Sequence, residues 1–580
     1  MGRVILAIRY FFWLLGNLRR RLGKPPEFVI FTLEGPYPEM RSQRAGFLQR
    51  RLFPGPRISL QELGEQFRAL QLDPRIKGIV LHLRSLQMPA AQIQTLRGFI
   101  SQLRSSGKRV VTWSTGYDNG RYYVATAADE ILLQNGGEAA PLGLHANFVF
   151  LFDALDRIGI KADFIQISPY KTAADPLMRS SMSDEMREMT NWLLDAYHAD
   201  FIQAVSTGRG LDDDGANALV DGAPYTDLKA LSAGVVDRLI SEEDLPAYLG
   251  ADEKPARLAT WDEVRNKVRR PPPNRVGRYV AVIRVEGNIV DGWSQQPPGK
   301  SPLPMPLIFN PRAGDLTVVQ QARRALKDRR AAAVVLYVNS GGGSASASEA
   351  MAAALQKVAD KKPLVAVMGP VAASGGYYVC TPAQWISAQP GTITGSIGVL
   401  TGKVITAGLL DKLLFRREAL TRGTNAGFQN TEEPFNDEER QIIRESIERV
   451  YEVFLDRVTT SRNITREAAE AVSGGRVWTG SQALENGLVD ELGGLEEGLA
   501  KAKELAGLNP RAPYREVRPE RQYSQSPVSL PSGWANAILG QGSDNPAALL
   551  SYAFEGLELI ASGKTLYLSE FMLLEPPNYP

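Results

Sequence analysis

The stretch V-M-G-P-V-A-A-S-G-G-Y-Y-V, from Val367 to Val379, contains one serine among small residues, between two apolar runs. The upstream run, Pro363 to Met368, is typical of a short buried strand, and the residues from Tyr377 onward indicate a helix. Ser374 is therefore predicted at a strand-to-helix turn. The two glycines that follow it allow the backbone to bend sharply without a Cβ clash.

Two interpretations of Ser374 stay open at this point. Backbone amides at the start of a helix carry a partial positive charge, so a serine at this turn can act as a nucleophile beside a site that holds an oxyanion. Alternatively, the hydroxyl caps the helix, as serine commonly does at the N-cap position. The neighbouring residues do not distinguish the two.

Composition excludes several function classes. The chain has 580 residues, enough for several domains, and its 44% hydrophobic and 22% charged residues are those of a globular protein. A net charge of +2 argues against general nucleic-acid binding, because there is no basic excess to neutralise phosphates. The one cysteine, Cys380, excludes an internal disulfide, and its apolar neighbours indicate a packing thiol. We expect neither a cofactor nor a bound metal.

The N-terminal segment, residues 1–26, is basic and amphipathic. Its apolar residues span about fifteen positions, fewer than the roughly 20 needed to cross a bilayer, and Arg9 interrupts them. We predict that the segment lies on an anionic membrane surface. The alternative is a solvated basic tail.

An internal repeat organises the rest of the chain. The motif Y-Y-V-A-T-A-A-D at Tyr122 resembles Y-Y-V-C-T-P-A-Q at Tyr377, 255 residues later. The same spacing relates Ser85 to Ser340, each at the end of an apolar run. It also relates Gly143 to Gly398, so the chain contains two copies of one plan.

Each copy alternates apolar strands with helices, which predicts an α/β fold with a largely parallel sheet. A stretch from Gly292 to Gly314, rich in Pro and Gly, is either a flap over a site or a long surface loop. The predicted division is a basic segment at 1–26, an N-terminal copy at 27–268, a proline-rich linker at 269–275, a C-terminal copy at 276–507 and a tail at 508–580.

The copies differ where chemistry is expected. At the repeat spacing Asn119 corresponds to Ser374, so the first copy lacks the serine. All three histidines, His82, His145 and His198, lie in the first copy, and His82 occupies a strand position that favours packing. A Ser-His-Asp triad within the second copy is therefore excluded. A base for the serine must come from the first copy or be a lysine.

The ordered motifs V-N-S-G-G-G-S, A-A-S-G-G-Y and T-G-S-I-G-V resemble the signal peptide peptidases of the protease IV (SppA) type, in the long form with two repeats. The similarity runs from about Glu27 to Leu505. It implies tandem ClpP/crotonase-like domains with a parallel-sheet, spiral arrangement. The family's Y-K-[ST]-A-x-[DE]-P motif stands here at Tyr170 to Pro176 and contains Lys171.

This resemblance implies the roles of five residues. Ser374 would be the nucleophile, Lys171 the general base and Ser396 the group that orients the lysine. The amides of Gly343 and Gly375 would hold the oxyanion. The residues alone do not single out this lysine, because the first copy also contains Lys77, Lys108, Lys161 and Lys229. One departure is Gly341, where the family usually has proline.

The implied function is a serine endopeptidase that degrades cleaved signal peptides and other short apolar peptides at the cell's inner membrane, with the face of the membrane left open. Its peptide substrates would bind extended beside the glycine loop. The resemblance also implies a homo-oligomer, a tetramer. Two alternatives are a crotonase-like acyl-CoA enzyme and a non-catalytic membrane-associated scaffold.

Overall fold

The fold was analysed in a computed structural model that describes residues 2–41, 58–251, 254–270, 272–273, 277–295, 311–519 and 566–567. Parts of the predicted linker, most of the stretch from Gly292 to Gly314 and most of the predicted tail therefore lie outside the described residues.

The strands are, in chain order, β1 (Phe28–Gly35), β2 (Gly78–Leu86), β3 (Arg109–Tyr117), β4 (Glu130–Ala139), β5 (Lys161–Gln166), β6 (Tyr225–Thr226), β7 (Arg238–Leu239), β8 (Leu258–Thr260), β9 (Tyr279–Glu286), β10 (Asn288–Val290), β11 (Arg312–Gly314), β12 (Ala331–Ser340), β13 (Gly343–Ser344), β14 (Leu364–Ala373), β15 (Trp385–Ala388), β16 (Ile393–Gly395), β17 (Leu400–Ile405), β18 (Val477–Thr479), β19 (Glu491–Leu492), β20 (Tyr514–Glu516) and β21 (Leu566–Tyr567).

The α-helices are α1 (Gly2–Leu22), α2 (Leu60–Gln71), α3 (Ala90–Ser105), α4 (Asn119–Ala125), α5 (Phe152–Ile158), α6 (Asp175–Met178), α7 (Asp184–Arg209), α8 (Asp213–Asp221), α9 (Asp227–Ser232), α10 (Leu245–Tyr248), α11 (Trp261–Val264), α12 (Asp315–Lys327), α13 (Ala345–Ala359), α14 (Gly375–Tyr378), α15 (Ala407–Lys412), α16 (Asp437–Arg462), α17 (Arg466–Val472), α18 (Gly480–Glu485) and α19 (Leu495–Leu505). Short 3₁₀ helices occur at Thr172–Ala174 and Glu242–Asp244.

The first compact unit consists of the described residues of Met1–Ala146 and Leu194–Gly277. Its sheet has the strand order β6-β4-β3-β2-β1-β8, with β7 paired to β4. The neighbours from β4 to β8 are parallel, and β6 is antiparallel to β4. Parallel neighbours require crossover connections, and helices supply them here.

The second compact unit consists of the described residues of Asn147–Leu193 and Arg278–Pro576. Its larger sheet has the order β18-β16-β14-β12-β9-β20, with β15 paired to β14 and β19 to β15. Strands β9, β12 and β14 repeat β1, β2 and β3, and the antiparallel β18 repeats β6. The predicted tandem α/β repeat is confirmed. The sheet also continues to β20, past residue 507.

A further sheet in the second unit has the order β11-β10-β13-β21-β17-β5. Strand β5 pairs antiparallel with β17 from Lys161↔Ile405 to Gln166↔Leu400. This pairing joins the segment that precedes Lys171 to the same unit as Ser374.

The central strands of the second unit are buried along almost their whole length. Nine of ten residues in β12 and nine of ten in β14 are buried, as expected for parallel strands that are covered on both faces. Met351 and Leu355 of α13 pack into the same core. The register between β12 and β14 shifts between Val338 and Ser340, directly before the glycine loop.

Helix α1 contains the predicted basic segment, and one face of it is held against residues 268–270. Trp13 Nε1 and Asn17 Nδ2 donate to the carbonyl of Arg270 at 2.9 and 3.0 Å, and Arg20 donates to the carbonyl of Val268 at 2.8 Å. The exposed apolar side chains of the helix are Ile8, Phe11, Phe12, Leu14, Leu15 and Leu18. Within the described residues, every helix is too short or too polar to span a bilayer.

Candidate active site

Ser374 lies at the turn between β14 and α14, as predicted. Its backbone has φ 53° and ψ −115°, a left-handed conformation that is strained for a residue with a side chain. Although Ser374 occupies the N-cap position, its side chain makes no capping hydrogen bond. The cap interpretation is therefore wrong for the hydroxyl, which points to a different partner.

The elements around Ser374 differ in extent from the predicted ones. Strand β14 continues to Ala373, and α14 is a single turn that ends at Tyr378, whereas a helix was predicted from Tyr377 onward. The amides of Cys380 and Thr381 bond three residues back, and Pro382 then has no amide to continue a helix.

The partner of Ser374 is Lys171, which is fully buried. Lys171 Nζ donates to Ser374 Oγ at 2.9 Å and to Ser396 Oγ and the Ser396 carbonyl at 2.8 Å each. The lysine follows β5 and directly precedes the 3₁₀ turn Thr172–Ala174. The fold thus brings together three residues that the family resemblance implied, 203 and 225 positions apart along the chain.

Ser396 is the second serine of the site and is also strained, with φ 50°. Its amide donates to the carbonyl of Arg476 at 2.6 Å, which fixes the turn after β16. Strained backbone of this kind persists only where surrounding contacts hold it, and it is concentrated at functional sites. Both strained serines contact one lysine amine.

The glycine loop lies beside the serine turn. Gly343 has φ 150°, and a Cβ there would lie 2.1 Å from the carbonyl oxygen of Ile289. A Cβ on Gly375 would lie 3.3 Å from the amide nitrogen of Gly343, so the two predicted oxyanion donors belong to adjacent backbone segments. The amide of Ser374 itself donates to the carbonyl of Gly395 at 2.8 Å.

The glycine loop contains Gly341 where the resembling family usually has proline. Here the amide of Gly342 donates to Ser340 Oγ at 3.1 Å, a side-chain bond within the turn. Such local bonds hold a turn in one conformation. Ser340 therefore restricts a loop that lacks the stiffness of proline.

The turn at residues 473–476 is a part of the site that the sequence analysis missed. A Cβ on Gly475 would lie 2.6 Å from both the amide nitrogen and the Cα of Lys171, and its φ is +94°. Ser168 Oγ donates to the carbonyl of Gly474, and the Arg476 guanidinium lies 3.9 Å from the ring centre of Tyr170. The S-G-G-R sequence was the available signal, since paired glycines mark a turn with close backbone approach.

An aromatic stack supports the same turn. The indoles of Trp192 and Trp478 are parallel, with ring centres 4.8 Å apart, and the ring of Tyr170 stacks on Trp192 at 6.4 Å. Trp192 Nε1 donates to the carbonyl of Val477 at 2.8 Å. The residues on both sides of Lys171 are thereby tied to the strand that follows the 473–476 turn.

In the first copy Asn119 stands at the position of Ser374 and has a structural role. It is buried, its side-chain amide donates to the carbonyl of Gly143, and it accepts from the Gly143 amide at 3.3 Å. Gly143 corresponds to Gly398, which packs against the side chain of Lys171 in the second copy. In the first copy this position is therefore occupied by a side-chain amide that is hydrogen-bonded to the backbone of Gly143.

The histidines lie among the residues of the first unit. His82 is buried edge-on against Trp113 with ring centres 4.5 Å apart, and its burial lowers the pKa of the imidazole. Its predicted packing role is confirmed. His145 is exposed, and His198 is half-buried on α7.

The other candidate lysines and the cysteine lie either at the surface or in the packed interior. Lys77, Lys161 and Lys229 are exposed, whereas Lys108 is buried and donates to two backbone carbonyls, those of Asp73 and Ile76. Cys380 is buried, and burial raises the pKa of its thiol. Its predicted role as a packing thiol is confirmed.

A serine at a strained strand-to-helix turn, hydrogen-bonded to a buried lysine, is an arrangement compatible with a serine hydrolase. Residues 102–254 and 356–509 both match Peptidase family S49. The two matched regions fall in the two copies and cover more than half of the chain. The chain belongs to this family, and it is a serine protease.

Relatives match over most of their length. The chain is 30% identical to "Serine protease SPPA, chloroplastic" of Arabidopsis thaliana over 86% of this chain and 73% of that protein. It is 32% identical to "Protease 4" of Haemophilus influenzae over 75% of this chain and 71% of the relative. "Protease 4" of Salmonella typhi is 31% identical, with 80% and 76% covered.

Among solved structures, a ClpP1 mutant from Listeria monocytogenes aligns with 38% of this chain and 94% of its own, at 13% identity and a TM-score of 0.23.

Proposed function

We propose that the chain is a serine endopeptidase with a Ser-Lys dyad that degrades cleaved signal peptides and other short apolar peptides at the membrane. One observation carries the dyad: Lys171 Nζ lies 2.9 Å from Ser374 Oγ, with both residues fully buried. Burial away from water disfavours the charged form of an amine. A neutral Lys171 can accept the proton of the Ser374 hydroxyl.

The reaction would proceed in two acyl-transfer steps. Ser374 Oγ attacks the peptide carbonyl while its proton moves to Lys171, and the resulting ammonium then protonates the leaving amine. Water, deprotonated by the same lysine, releases the acyl group from the serine. Ser396, bonded to Nζ through its hydroxyl and its carbonyl, acts as a positioning residue that holds the amine toward Ser374.

The developing oxyanion would be held by the amides of Gly343 and Gly375. Support comes from the close approach of these two backbone segments beside the nucleophile. Removal of one such donor in serine proteases typically costs about 3 to 4 kcal/mol in the barrier.

Membership of a peptidase family favours hydrolysis over the acyl-CoA and scaffold alternatives. The membrane part of the proposal is supported by α1, which exposes a row of apolar side chains near Arg9, Arg19 and Arg20. Apolar groups and basic charges on one helix are what an anionic lipid surface binds.

The dyad is tested by Ser374→Ala and Lys171→Ala in the full-length chain. Each variant should lose at least about a thousandfold in kcat/KM toward a fluorogenic apolar peptide, since nucleophile and base act as one unit. Ser396→Ala should lose less, on the order of tenfold to a hundredfold, because it removes one hydrogen bond to the amine.

Matched controls are Ser387→Ala, a buried serine in β15, and Lys161→Ala, an exposed lysine shortly before Lys171. Both should retain wild-type activity. Near-normal hydrolysis by either Ser374→Ala or Lys171→Ala would rule out the dyad.

A further inference from the structure

A cavity of about 410 Å³ lies in the first unit, beside the segment that holds α1. Ala69 of α2 and Trp261 of α11 form part of its lining. Three further lining side chains are arginines, Arg265, Arg269 and Arg270, and none of the described lining residues is acidic. Sites for small molecules usually measure about 300 to 1,000 Å³. The cavity therefore has the size and the charge to suit a small anionic group.

Arg269 presents an unpaired donor at this cavity. Its Nε is buried and has no hydrogen-bond partner among the described residues. A buried polar donor that lacks a partner is unfavourable, and the cost is larger when the group is charged. An oxyanion in the cavity would accept from this group.

Contacts beneath the arginines fix the backbone that carries them. The amide of Arg269 donates to Asp73 Oδ2 at 3.1 Å, and Arg75 donates to the carbonyl of Lys267 at 3.0 Å. Asp73 is fully buried, and its carboxylate is paired with the Arg75 guanidinium at 2.7 Å. This carboxylate therefore pairs with Arg75 rather than with the guanidinium groups of the cavity.

Positive charge is in excess around the cavity. Arg265 lies 3.4 Å from Asp262, but both side chains are exposed, and exposed ion pairs contribute little. Burial and the like charge of Arg270 lower the pKa of the neighbouring Arg20 guanidinium. Like charges that the fold holds close together repel one another, so the cluster favours an anionic ligand.

The attachment of α1 to the same segment favours a lipid as the source of the anion. Trp13 Nε1 and Asn17 Nδ2 donate to the carbonyl of Arg270, whose side chain lines the cavity. Helix α1 also exposes apolar side chains, among them Phe11 and Phe12. A phospholipid can use both features, since its phosphate suits guanidinium groups and its acyl chains suit exposed apolar side chains.

We propose that the cavity lined by Arg269 and Arg270 binds the phosphate of a membrane phospholipid headgroup. Guanidinium groups bind phosphate oxygens through two parallel hydrogen bonds, a geometry that lysine cannot reproduce. Basic pockets at membrane surfaces bind lipid headgroups by this chemistry. The choice of a lipid rests on the proposed membrane association of α1, and it is independent of the Ser-Lys dyad.

The first test keeps the charge and removes the guanidinium groups. Arg269→Lys with Arg270→Lys leaves the backbone bonds to Asp73 and α1 in place. Co-sedimentation of the full-length chain with vesicles of phosphatidylglycerol and phosphatidylcholine in equal amounts should show about tenfold weaker binding, because bidentate hydrogen bonds to phosphate are lost. General attraction between charges predicts no change, so a Kd equal to that of the wild type would overturn the proposal.

The matched control is Arg19→Lys with Arg84→Lys, which changes two exposed arginines of the same unit. Its vesicle binding should equal that of the wild type. An equal loss in the control and in the cavity variant would also overturn the proposal, because arginine would then act at the membrane without a specific site.

A second test leaves every arginine in place. Ala69→Glu puts a carboxylate on the wall of the cavity, where it competes with a phosphate for the guanidinium groups. Calorimetric titration with dihexanoyl phosphatidylglycerol, a water-soluble phospholipid, should give about tenfold weaker binding for Ala69→Glu than for the neutral control Ala69→Gln. Equal affinities for these two variants would contradict a phosphate site in this cavity.

Inorganic phosphate separates the two sources of the anion. The short-chain phospholipid should bind the wild-type chain at least about tenfold more tightly than inorganic phosphate, since its acyl chains bury apolar surface as well. Equal affinity for the two would indicate a site for free phosphate and overturn the assignment to a lipid.

The headgroup site and the membrane role of α1 fail in different ways. If the soluble phospholipid requires the two arginines but Phe12→Asp with Leu15→Asp leaves vesicle binding unchanged, the role of α1 fails and the headgroup site stands. If vesicle binding requires Phe12 and Leu15 but neither arginine, only the headgroup site is lost.

Discussion

The contact between Gly475 and Lys171 shows how closely the backbone surrounds this lysine. A side chain at 475 would overlap the backbone of Lys171, and the positive φ of Gly475 is itself unfavourable for other residues. The 473–476 turn therefore packs directly against the backbone of the lysine. Its amine is hydrogen-bonded to the side chains of Ser374 and Ser396.

We predict that Gly475→Ala lowers kcat by about a hundredfold, because displacing a catalytic group by about 1 Å costs this much. KM for the same peptide should change little, since the glycine loop, beside which the peptide is expected to bind, is untouched. Steady-state kinetics on the purified variant provide the measurement. The control is Gly427→Ala, where a Cβ would meet nothing within 4 Å. A Gly475→Ala enzyme with wild-type kcat would contradict the inference that the 473–476 turn positions Lys171.

The pH profile separates a lysine base from a histidine base. Lys171 accepts a proton only when its amine is neutral, so kcat/KM should rise with pH and level off on the alkaline side. Because burial lowers the pKa of His82, that imidazole titrates below its usual value of about 6.5 and cannot produce an alkaline limb.

The measurement is kcat/KM between about pH 5.5 and 10 for the wild type and for His82→Gln. Both should show the same rise of kcat/KM to a plateau at alkaline pH. A rise in kcat/KM centred below about pH 6.5 that disappears in His82→Gln would indicate this histidine instead.

At the scale of elements, two sheets of the second unit position the residues of the candidate site. The larger sheet supplies Ser374 at the end of β14. The smaller sheet holds β5, and through it the approach to Lys171, against β17. Asp163 of β5 reinforces this attachment, because it accepts from Arg440 of α16 at 2.7 Å and from the amide of Phe435 at 2.8 Å.

Helix α1 carries its own prediction. The exposed side chains of Phe12 and Leu15 should enter the lipid boundary, so Phe12→Asp with Leu15→Asp should weaken binding to vesicles rich in phosphatidylserine by tenfold or more. Vesicle co-sedimentation at physiological salt measures this. Leu228→Asp, which changes another exposed leucine, is the matched control. Unchanged binding by the double variant would exclude the helix as the contact.

At the scale of the whole molecule, the two copies share a fold and differ at the candidate site. Both copies keep the strand order, but the first replaced its serine with Asn119 and the second lacks a lysine motif. The segment 147–193, which contains Lys171, packs with the unit of the other copy. One complete site therefore results from two incomplete copies.

We predict that the purified chain is a homo-oligomer, a tetramer, as the family resemblance implies. Sedimentation equilibrium should give four times the mass of one chain at micromolar concentration, with no dependence on the Ser374→Ala substitution. A single species with the mass of one chain would contradict the prediction.

Several features could be predicted from the sequence because they are local or copied patterns. Alternating apolar runs predicted the parallel α/β units, the spacing of 255 residues revealed the repeat, and the A-A-S-G-G stretch located the serine turn. Lys171 emerged only through its family motif, since a lysine among small residues does not differ from its neighbours in any periodic pattern.

Tertiary structure alone decided the rest. Periodicity reports which face of an element is buried, but not which distant residue lies against it. The pairing of β5 with β17 holds the segment before Lys171 in the same unit as Ser374, and Lys171 Nζ lies 2.9 Å from Ser374 Oγ. The Ser374 hydroxyl is therefore bonded to this lysine and makes no capping hydrogen bond. The contact of Gly475 with Lys171 and the pairing of Tyr567 with Gly343 likewise depend on segments far apart in the chain. Only the packed fold brings them together, because the free energy of those contacts is a property of both partners at once.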